Sequence, residues 1–237
     1  MQNCREFISS GGLKVYDAKP STKKGSGVMV NCAKCGIFSC YTGELDKVPA
    51  NCPMRLCPEV YDRASAVYKE SKSSGNIACL SARVESAGYR VWPRLREIME
   101  FSRLAGFKRL GLPFCVGLRR EALEVTKIFE NNGFEVVSLI CKTGSRRKEE
   151  LGLLDQEKVR PGRHEPMCNP IAQAMILNKL KTDLNVLLGL CVGHDTLFIS
   201  YSDAPITVLA VKDRVTGHNP LAAIYATHYF EPKLKLT

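Results

Sequence analysis

No run of about 18 apolar residues occurs anywhere in the chain, so nothing in it reads as a membrane-spanning helix. Met1 to Ser10 has neither the basic start nor the apolar middle of a secretory signal. These two absences lead us to expect a soluble, cytoplasmic protein. The chain also lacks a G-x-G-x-x-G turn and a G-x4-G-K-[ST] loop, which argues against a tightly bound dinucleotide. Aromatic residues are not interleaved with the basic clusters Lys19 to Lys24, Arg90 to Arg109 and Lys142 to Lys148, so none of them has the texture of a base-stacking surface. No internal repeat and no low-complexity tract is present beyond a strand-helix rhythm in the second half.

What the chain does have is cysteine, 11 in 237 residues, and a net charge of +10. A reducing compartment disfavours structural disulfides, so the cysteines point to metal binding or thiol chemistry. The positive charge attracts anionic partners, either a small anionic substrate or nucleic acid. A redox partner protein is the other partner considered. With 45% apolar residues the chain is long enough for one full domain and a small appendage.

Residues 1–28 mix Ser, Gly and Lys without a period and are expected to be a mobile leader, with Cys4 incidental. Over residues 29–58 the texture changes: Cys32, Cys35, Cys40, Cys52 and Cys57 fall within 26 residues that show little hydrophobic periodicity. Such a knuckle cannot fold on apolar burial and needs a staple. Four thiolates suit tetrahedral zinc, and one C-x2–4-C pair commonly supplies adjacent ligands. Cys32, Cys35, Cys40 and Cys52 make that set, with Cys57 as a spare or as a replacement for Cys40. Cysteine followed by proline also closes some ferredoxin-type ligand runs, so an iron–sulfur cluster is the alternative occupant.

Residues 59–237 read as an α/β domain: an open, mainly parallel, Rossmann-like sheet of about four strands flanked by helices. Helices are expected from Pro58, with a break at Ser73 to Gly75, and from Pro93 to Gly106. Strands are expected over Arg109 to Leu112, Phe134 to Cys141, Leu184 to Cys191 and Ile206 to Val211. Pro113 removes a ladder donor and is expected to end the first strand. A polar loop of about 26 residues follows Cys141, a length that is functional or disordered in compact domains.

Cys115, Cys141, Cys168 and Cys191 have 25, 26 and 22 residues between them, about one strand-helix unit each time. At least three of the four sit where a predicted strand ends, Cys115 in the turn after its strand. Cys168 precedes Asn169-Pro170, a cap and first turn, and would lie at the positive end of a helix dipole, which favours its thiolate. Parallel strands deliver their last residues to one edge, and that edge is where open α/β folds bind ligands. The four thiols are therefore expected to converge on one site, which would hold a [4Fe–4S] cluster or zinc, or act through thiols alone. Cys191, Cys168 and His194 are the candidate catalytic residues, with His194 handling protons. Lys212, Asp213 and Arg214 follow the fourth strand and are the candidates for holding an anionic substrate group. Gly189-x-Cys191-x-Gly193 also imitates the nucleophile elbow of a hydrolase, with Asp213 and then His218 or His228 as its partners.

Cys32-Ala-Lys-Cys35 with Asn51-Cys52-Pro53, then Cys115-Val-Gly-Leu-Arg-Arg-Glu-Ala122, Cys168-Asn-Pro-Ile-Ala-Gln173, Gly189-Leu-Cys-Val-Gly-His-Asp195 and Val211-Lys-Asp-Arg214, resemble the domain of unknown function 1847 family. These are small bacterial cysteine-rich proteins usually labelled only as metal-binding. The resemblance covers nearly everything from Asn31 onward and implies a similar architecture. It carries over no reaction. The favoured function is a metal-binding, iron–sulfur or thiol-dependent redox or sulfur-transfer protein. A zinc-stapled nucleic-acid-binding module and a cysteine-nucleophile hydrolase are the alternatives.

Overall fold

The computed structural model describes residues 30–234. The expected leader over 1–28, with Cys4, lies outside the described residues. The chain divides between Ser81 and Ala82 into two compact units, a boundary that falls inside one helix.

In the first unit a short turn at Cys32–Lys34 leads to α1 (Ser39–Thr42), a second turn at Leu45–Lys47, α2 (Pro53–Leu56) and α3 (Pro58–Glu70), and the unit ends within α4 (Lys72–Gly88). Cys52 and Cys57 each stand immediately before a proline that opens a helix, a position where the missing N–H costs nothing. The chain breaks between α3 and α4 at Ser71, whose hydroxyl accepts the backbone N–H of Ser74 at 3.2 Å. Among the described residues of this unit, Val48 and Leu80 are the buried hydrophobic ones. Apolar burial therefore contributes little to its stability.

The second unit contains α5 (Arg94–Ala105), β1 (Arg109–Phe114), α6 (Arg119–Asn131), β2 (Glu135–Ile140), α7 (Pro170–Lys179), β3 (Leu184–Leu188), α8 (His194–Tyr201), β4 (Ile206–Ala210), α9 (Ala222–Tyr225) and α10 (Thr227–Leu234). All four strands are parallel, in the order β2-β1-β3-β4. This is the open α/β sheet expected from the sequence. β3 is buried at every position, as a central parallel strand covered on both faces should be. Ala122, Val125 and Phe129 on α6 and Ala174 and Leu177 on α7 enter the same core as Leu110, Leu112 and Val186. No helix among the described residues is long and apolar enough to cross a membrane.

The sheet differs from expectation at two strand ends. β1 does not stop at Leu112 but runs through Pro113 to Phe114. Its pairing with β2 is unbroken from Arg109 to Phe114, whereas its pairing with β3 skips Leu112 and Pro113. Successive residues of a strand point their N–H groups to opposite neighbours. The absent donor of Pro113 is thus charged to the β3 side alone, and the strand survives. β3, conversely, ends at Leu188 rather than Cys191. Gly189 adopts φ +66°, and a Cβ there would lie 1.9 Å from Leu118 Cδ1, so only glycine lets the chain turn off the sheet at this point.

The polar loop after Cys141 is built around a buried ammonium. The Lys158 side chain is 2% exposed and sits 2.9 Å from Glu149 Oε1 and 2.6 Å from Asp155 Oδ1. It also donates to the Arg163 carbonyl at 2.7 Å. Short helical turns at Lys148–Leu151 and Asp155–Glu157 carry the two carboxylates.

Candidate functional site

The chain passes from β2 to β3 by crossing over β1, so the strand order reverses between β1 and β3. Open sheets of this kind leave a crevice outside the carboxyl ends of the strands at that reversal. Each strand feeds a chemically reactive side chain to that edge: Cys115 follows β1, Cys141 follows β2, Cys191 lies three residues beyond β3, and Lys212 lies two beyond β4. Cys168 arrives from the side, just before α7. Asn169 caps α7 by accepting the Ala172 N–H at 3.1 Å, and Pro170 is its first residue, both as expected.

Backbone bonds lock these segments together. Cys141 N–H donates to the Phe114 carbonyl at 2.8 Å, Asn169 N–H to the Cys141 carbonyl at 2.7 Å, and Lys212 N–H to the Leu190 carbonyl at 3.2 Å. The thiols meet as a consequence. Cys141 lies near enough to Cys115 and Cys168 for both to shift its ionisation. Its sulfur also accepts the Val116 N–H at 3.4 Å. Cys168 and the imidazole of His194 in turn shift each other's ionisation, and Arg214 Nη2 donates to the Cys191 sulfur at 3.3 Å. Cys115 and Cys141 are buried, whereas Cys168 and Cys191 are partly exposed.

The three thiols push one another's ionisation apart. Hydrogen bonding from Cys141 is the largest influence on Cys168, followed in the same direction by His194; together they outweigh burial and hold the Cys168 thiol down at about 3. The Cys141 contact likewise lowers Cys115 to about 5, helped by the Gly117 N–H and the charge of Lys212. Cys141, buried beside both neighbours, is pushed up and keeps its proton. His194 is raised, first by its bond to the Cys168 sulfur and against the effect of burial. The resulting arrangement sets an easily ionised thiol beside a histidine that holds its proton more tightly than usual, the kind of environment that makes a cysteine nucleophilic.

The sequence did not single out three neighbours of the site. Lys142 adds its charge near Cys168 while its ammonium donates to the Pro166 carbonyl at 2.6 Å, tying the two ends of the loop. Gln173, fully buried on the first turn of α7, donates to the carbonyls of Leu139 at 2.7 Å and Phe114 at 3.4 Å, just ahead of Cys141 and Cys115. Gly117 leaves room for Lys212: a Cβ there would be 2.7 Å from Lys212 Nζ and 3.9 Å from Cys115 Sγ.

Of the expected anion-holding residues, Lys212 and Arg214 face thiols, and Asp213 faces its own loop. Its carboxylate accepts the N–H groups of Val215 at 2.9 Å and Thr216 at 3.1 Å, and its own N–H donates to His218 Nδ1 at 3.1 Å. Asp213 therefore shapes the turn that presents Lys212 and Arg214. Of the hydrolase candidates, Cys191 has Arg214 as its hydrogen-bond partner, and the His218 ring accepts from the backbone N–H of Asp213. At the elbow itself, Gly189 and Gly193 take the positive φ angles. The basic stretch of the loop is largely internal in its pairing: Arg146 lies 3.8 Å from Glu150, Arg147 3.6 Å from Glu149, and Lys148 is paired with Glu165.

In the first unit, the backbone N–H groups of Phe38 and Ile37 both reach the Cys35 sulfur and lower its pKa. Cys32 and Cys40 are exposed, and Cys52 and Cys57 are partly so. Donor chemistry in both units suits a soft metal, but geometry does not yet match it. Among the described residues, no group of three or more His, Cys, Asp or Glu side chains is disposed to hold a metal ion.

The family described as a protein of unknown function (DUF1847) matches residues 52–209. The chain belongs to that family. The DUF1847 match includes Cys115, Cys141, Cys168, Cys191 and His194, whereas Cys32, Cys35 and Cys40 precede it and Lys212, Asp213 and Arg214 follow it. It thus begins at Cys52, later than the Asn31 expected from the resemblance. The uncharacterised protein MJ0455 of Methanocaldococcus jannaschii is 39% identical over 206 residues, which are 87% of this chain and 99% of its own. That relative is archaeal, where bacterial proteins were expected. No solved structure matches the chain.

Proposed function

We propose that this DUF1847 protein performs thiol-dependent redox or sulfur-transfer chemistry at the carboxyl edge of its sheet, with Cys168 as the nucleophile. The observation that carries the reading is the gathering of Cys115, Cys141 and Cys168 at one sheet edge by the Cys141–Phe114 and Asn169–Cys141 backbone bonds, where they and His194 shift one another's ionisation. A buried thiol would ordinarily hold its proton, since burial disfavours the charged form. Here one protonated thiol favours ionisation of its neighbours, and a histidine adds to that effect at Cys168, the more exposed of them. Arg214 on Cys191 and Lys212 beside Cys115 make the rim positive, which suits a small anionic substrate.

The test is alkylation of the full chain by iodoacetamide at pH 5, with the modified cysteines identified by peptide mass. Cys168 is expected to react first and to slow in the His194→Gln variant. Equal, slow labelling of all the thiols at that pH would overturn the reading.

A metal-loaded form is the second reading, favoured by the contact of Cys141 with two other sulfurs and by the Cys35 turn of the first unit. Cys115, Cys141, Cys168 and Cys191 would hold an iron–sulfur cluster or zinc, and Cys32, Cys35, Cys40 and Cys52 a second ion. Either site would need its side chains to rotate toward a common centre. Iron, zinc and acid-labile sulfide measured after oxygen-free purification test it: a stoichiometric content supports the reading and a metal-free protein overturns it.

A further inference from the structure

We propose that Cys168 and Cys141 form an exchange pair for low-molecular-weight anionic disulfides, Cys168 being the thiol that attacks a disulfide arriving from solvent and Cys141 the one that resolves the bond. The inference rests on the thiol-dependent reading above and adds to it a pairing, an order of events and a substrate class.

Geometry supplies the pairing. The Asn169 N–H bond to the Cys141 carbonyl, at 2.7 Å, joins atoms two covalent bonds from each cysteine Cα. It thereby keeps those Cα atoms within about 7.5 Å at most, overlapping the span of roughly 4.4–6.8 Å that disulfides bridge. The two thiols are near enough for each to shift the other's ionisation. A disulfide here would close the 26 residues that separate the two cysteines. Closing a loop of that size normally costs chain entropy. In this chain the ends are already clamped by Lys142 Nζ on the Pro166 carbonyl at 2.6 Å and by Met167 N–H on the Arg146 carbonyl at 2.8 Å. Little further ordering is required.

Burial supplies the order. Cys168 is partly exposed, and Cys141 is 1% exposed behind it. An incoming disulfide meets Cys168 first. The Cys168 sulfur attacks one sulfur of the small molecule, forming a mixed disulfide and releasing the other half as a thiolate. Cys141 then attacks the Cys168 sulfur, its proton passing to the departing half. The Cys141–Cys168 bond forms, and the small disulfide has been reduced by two electrons to two thiols. Cys115, buried like Cys141, takes no part in these two steps.

Charge supplies the substrate class. Lys142 acts on Cys168, Lys212 lies beside Cys115, and Arg214 bonds Cys191. Neither Lys212 nor Arg214 has a carboxylate in salt-bridge range among the described residues. A disulfide bearing carboxylates is favoured over one bearing ammonium groups.

The experiment incubates the fully reduced chain, without oxygen, with glutathione disulfide or with cystamine, then blocks free thiols and maps the bonds by peptide mass. Three results are expected: a Cys141–Cys168 disulfide in the natural chain and in Cys115→Ser, a mixed disulfide held on Cys168 in Cys141→Ser, and reaction about tenfold faster with glutathione disulfide than with cystamine. That preference should fall in the double variant Lys212→Met, Arg214→Met. Failure of the bond to form, a mixed disulfide that persists in the natural chain, or equal rates with the two probes would overturn the proposal. If the bond fails to form while Cys168 still alkylates first at pH 5, the exchange pair falls and the broader thiol reading stands. If Cys168 is inert to both reagents, both fall.

Discussion

Asn169 donates its backbone N–H to the carbonyl of Cys141 at 2.7 Å, and this one bond brings the start of α7 against the end of β2. Cys168 precedes the donor by one residue, so a thiol that is 27 positions away in sequence becomes the neighbour of Cys141. The cap made by Asn169 on Ala172 fixes the orientation of the helix at the same point. Cys168 therefore sits both at the positive end of a helix and beside a protonated thiol, and both favour its ionised form.

The first prediction concerns pH. Because Cys168 is held down at about 3 and Cys141 is the largest cause, alkylation of Cys168 should keep a flat rate from pH 8 down to about pH 4. The Cys141→Ala variant should move the onset of reactivity upward by more than His194→Gln does. A thiol ionising more easily in the folded than in the unfolded chain stabilises the fold fully above its ordinary value of 9.0, and that contribution is lost as the pH falls toward about 3. His194, which is raised, works in the opposite sense, contributing fully below its ordinary 6.5 and losing its contribution as the pH rises through the raised value. Urea unfolding of Cys168→Ser against the natural chain, followed from pH 4 to 9, should show the gap between them widening with pH.

A second prediction concerns the turn that releases Cys191 from the sheet. Gly189→Ala must adopt φ +66° and bring a methyl group to within 1.9 Å of Leu118 Cδ1. The combined backbone strain and overpacking should cost about 1–3 kcal/mol in urea unfolding. Gly133→Ala, also at positive φ but with open space around it, should cost less.

Lys158 is predicted to hold the loop between Cys141 and Cys168 in its folded form. Lys158→Met removes the ammonium that Glu149 and Asp155 share and leaves the Arg163 carbonyl without its donor. Limited trypsin digestion should then cut within residues 142–167 sooner than in the natural chain. An unchanged digestion pattern would show that the loop holds without it.

The sheet and its reactive edge were legible because strand ends are marked locally. Cys115, Cys141 and Cys191 each follow an apolar run, and a parallel sheet turns that shared position into shared space. Asn169-Pro170 announced α7 in the same way. What local pattern could not convey was which neighbour each strand residue addresses. Pro113 reads as a strand breaker, yet its missing N–H affects only the β3 side. Gln173 reads as an ordinary polar residue on a helix, yet it is fully buried and bonded to two strand ends. The pairing of Cys168 with His194, rather than Cys191 with a histidine, likewise depends on contacts between segments far apart in sequence.

The most direct test uses phenylarsine oxide, which bridges two thiols through one arsenic with loss of water only when they are neighbours. Mass mapping of the reduced chain should find arsenic joining Cys141 to Cys168 or to Cys115, with the bridged product lost in Cys141→Ser. Arsenic bound to none of these three cysteines in the natural chain would mean that they do not share a site.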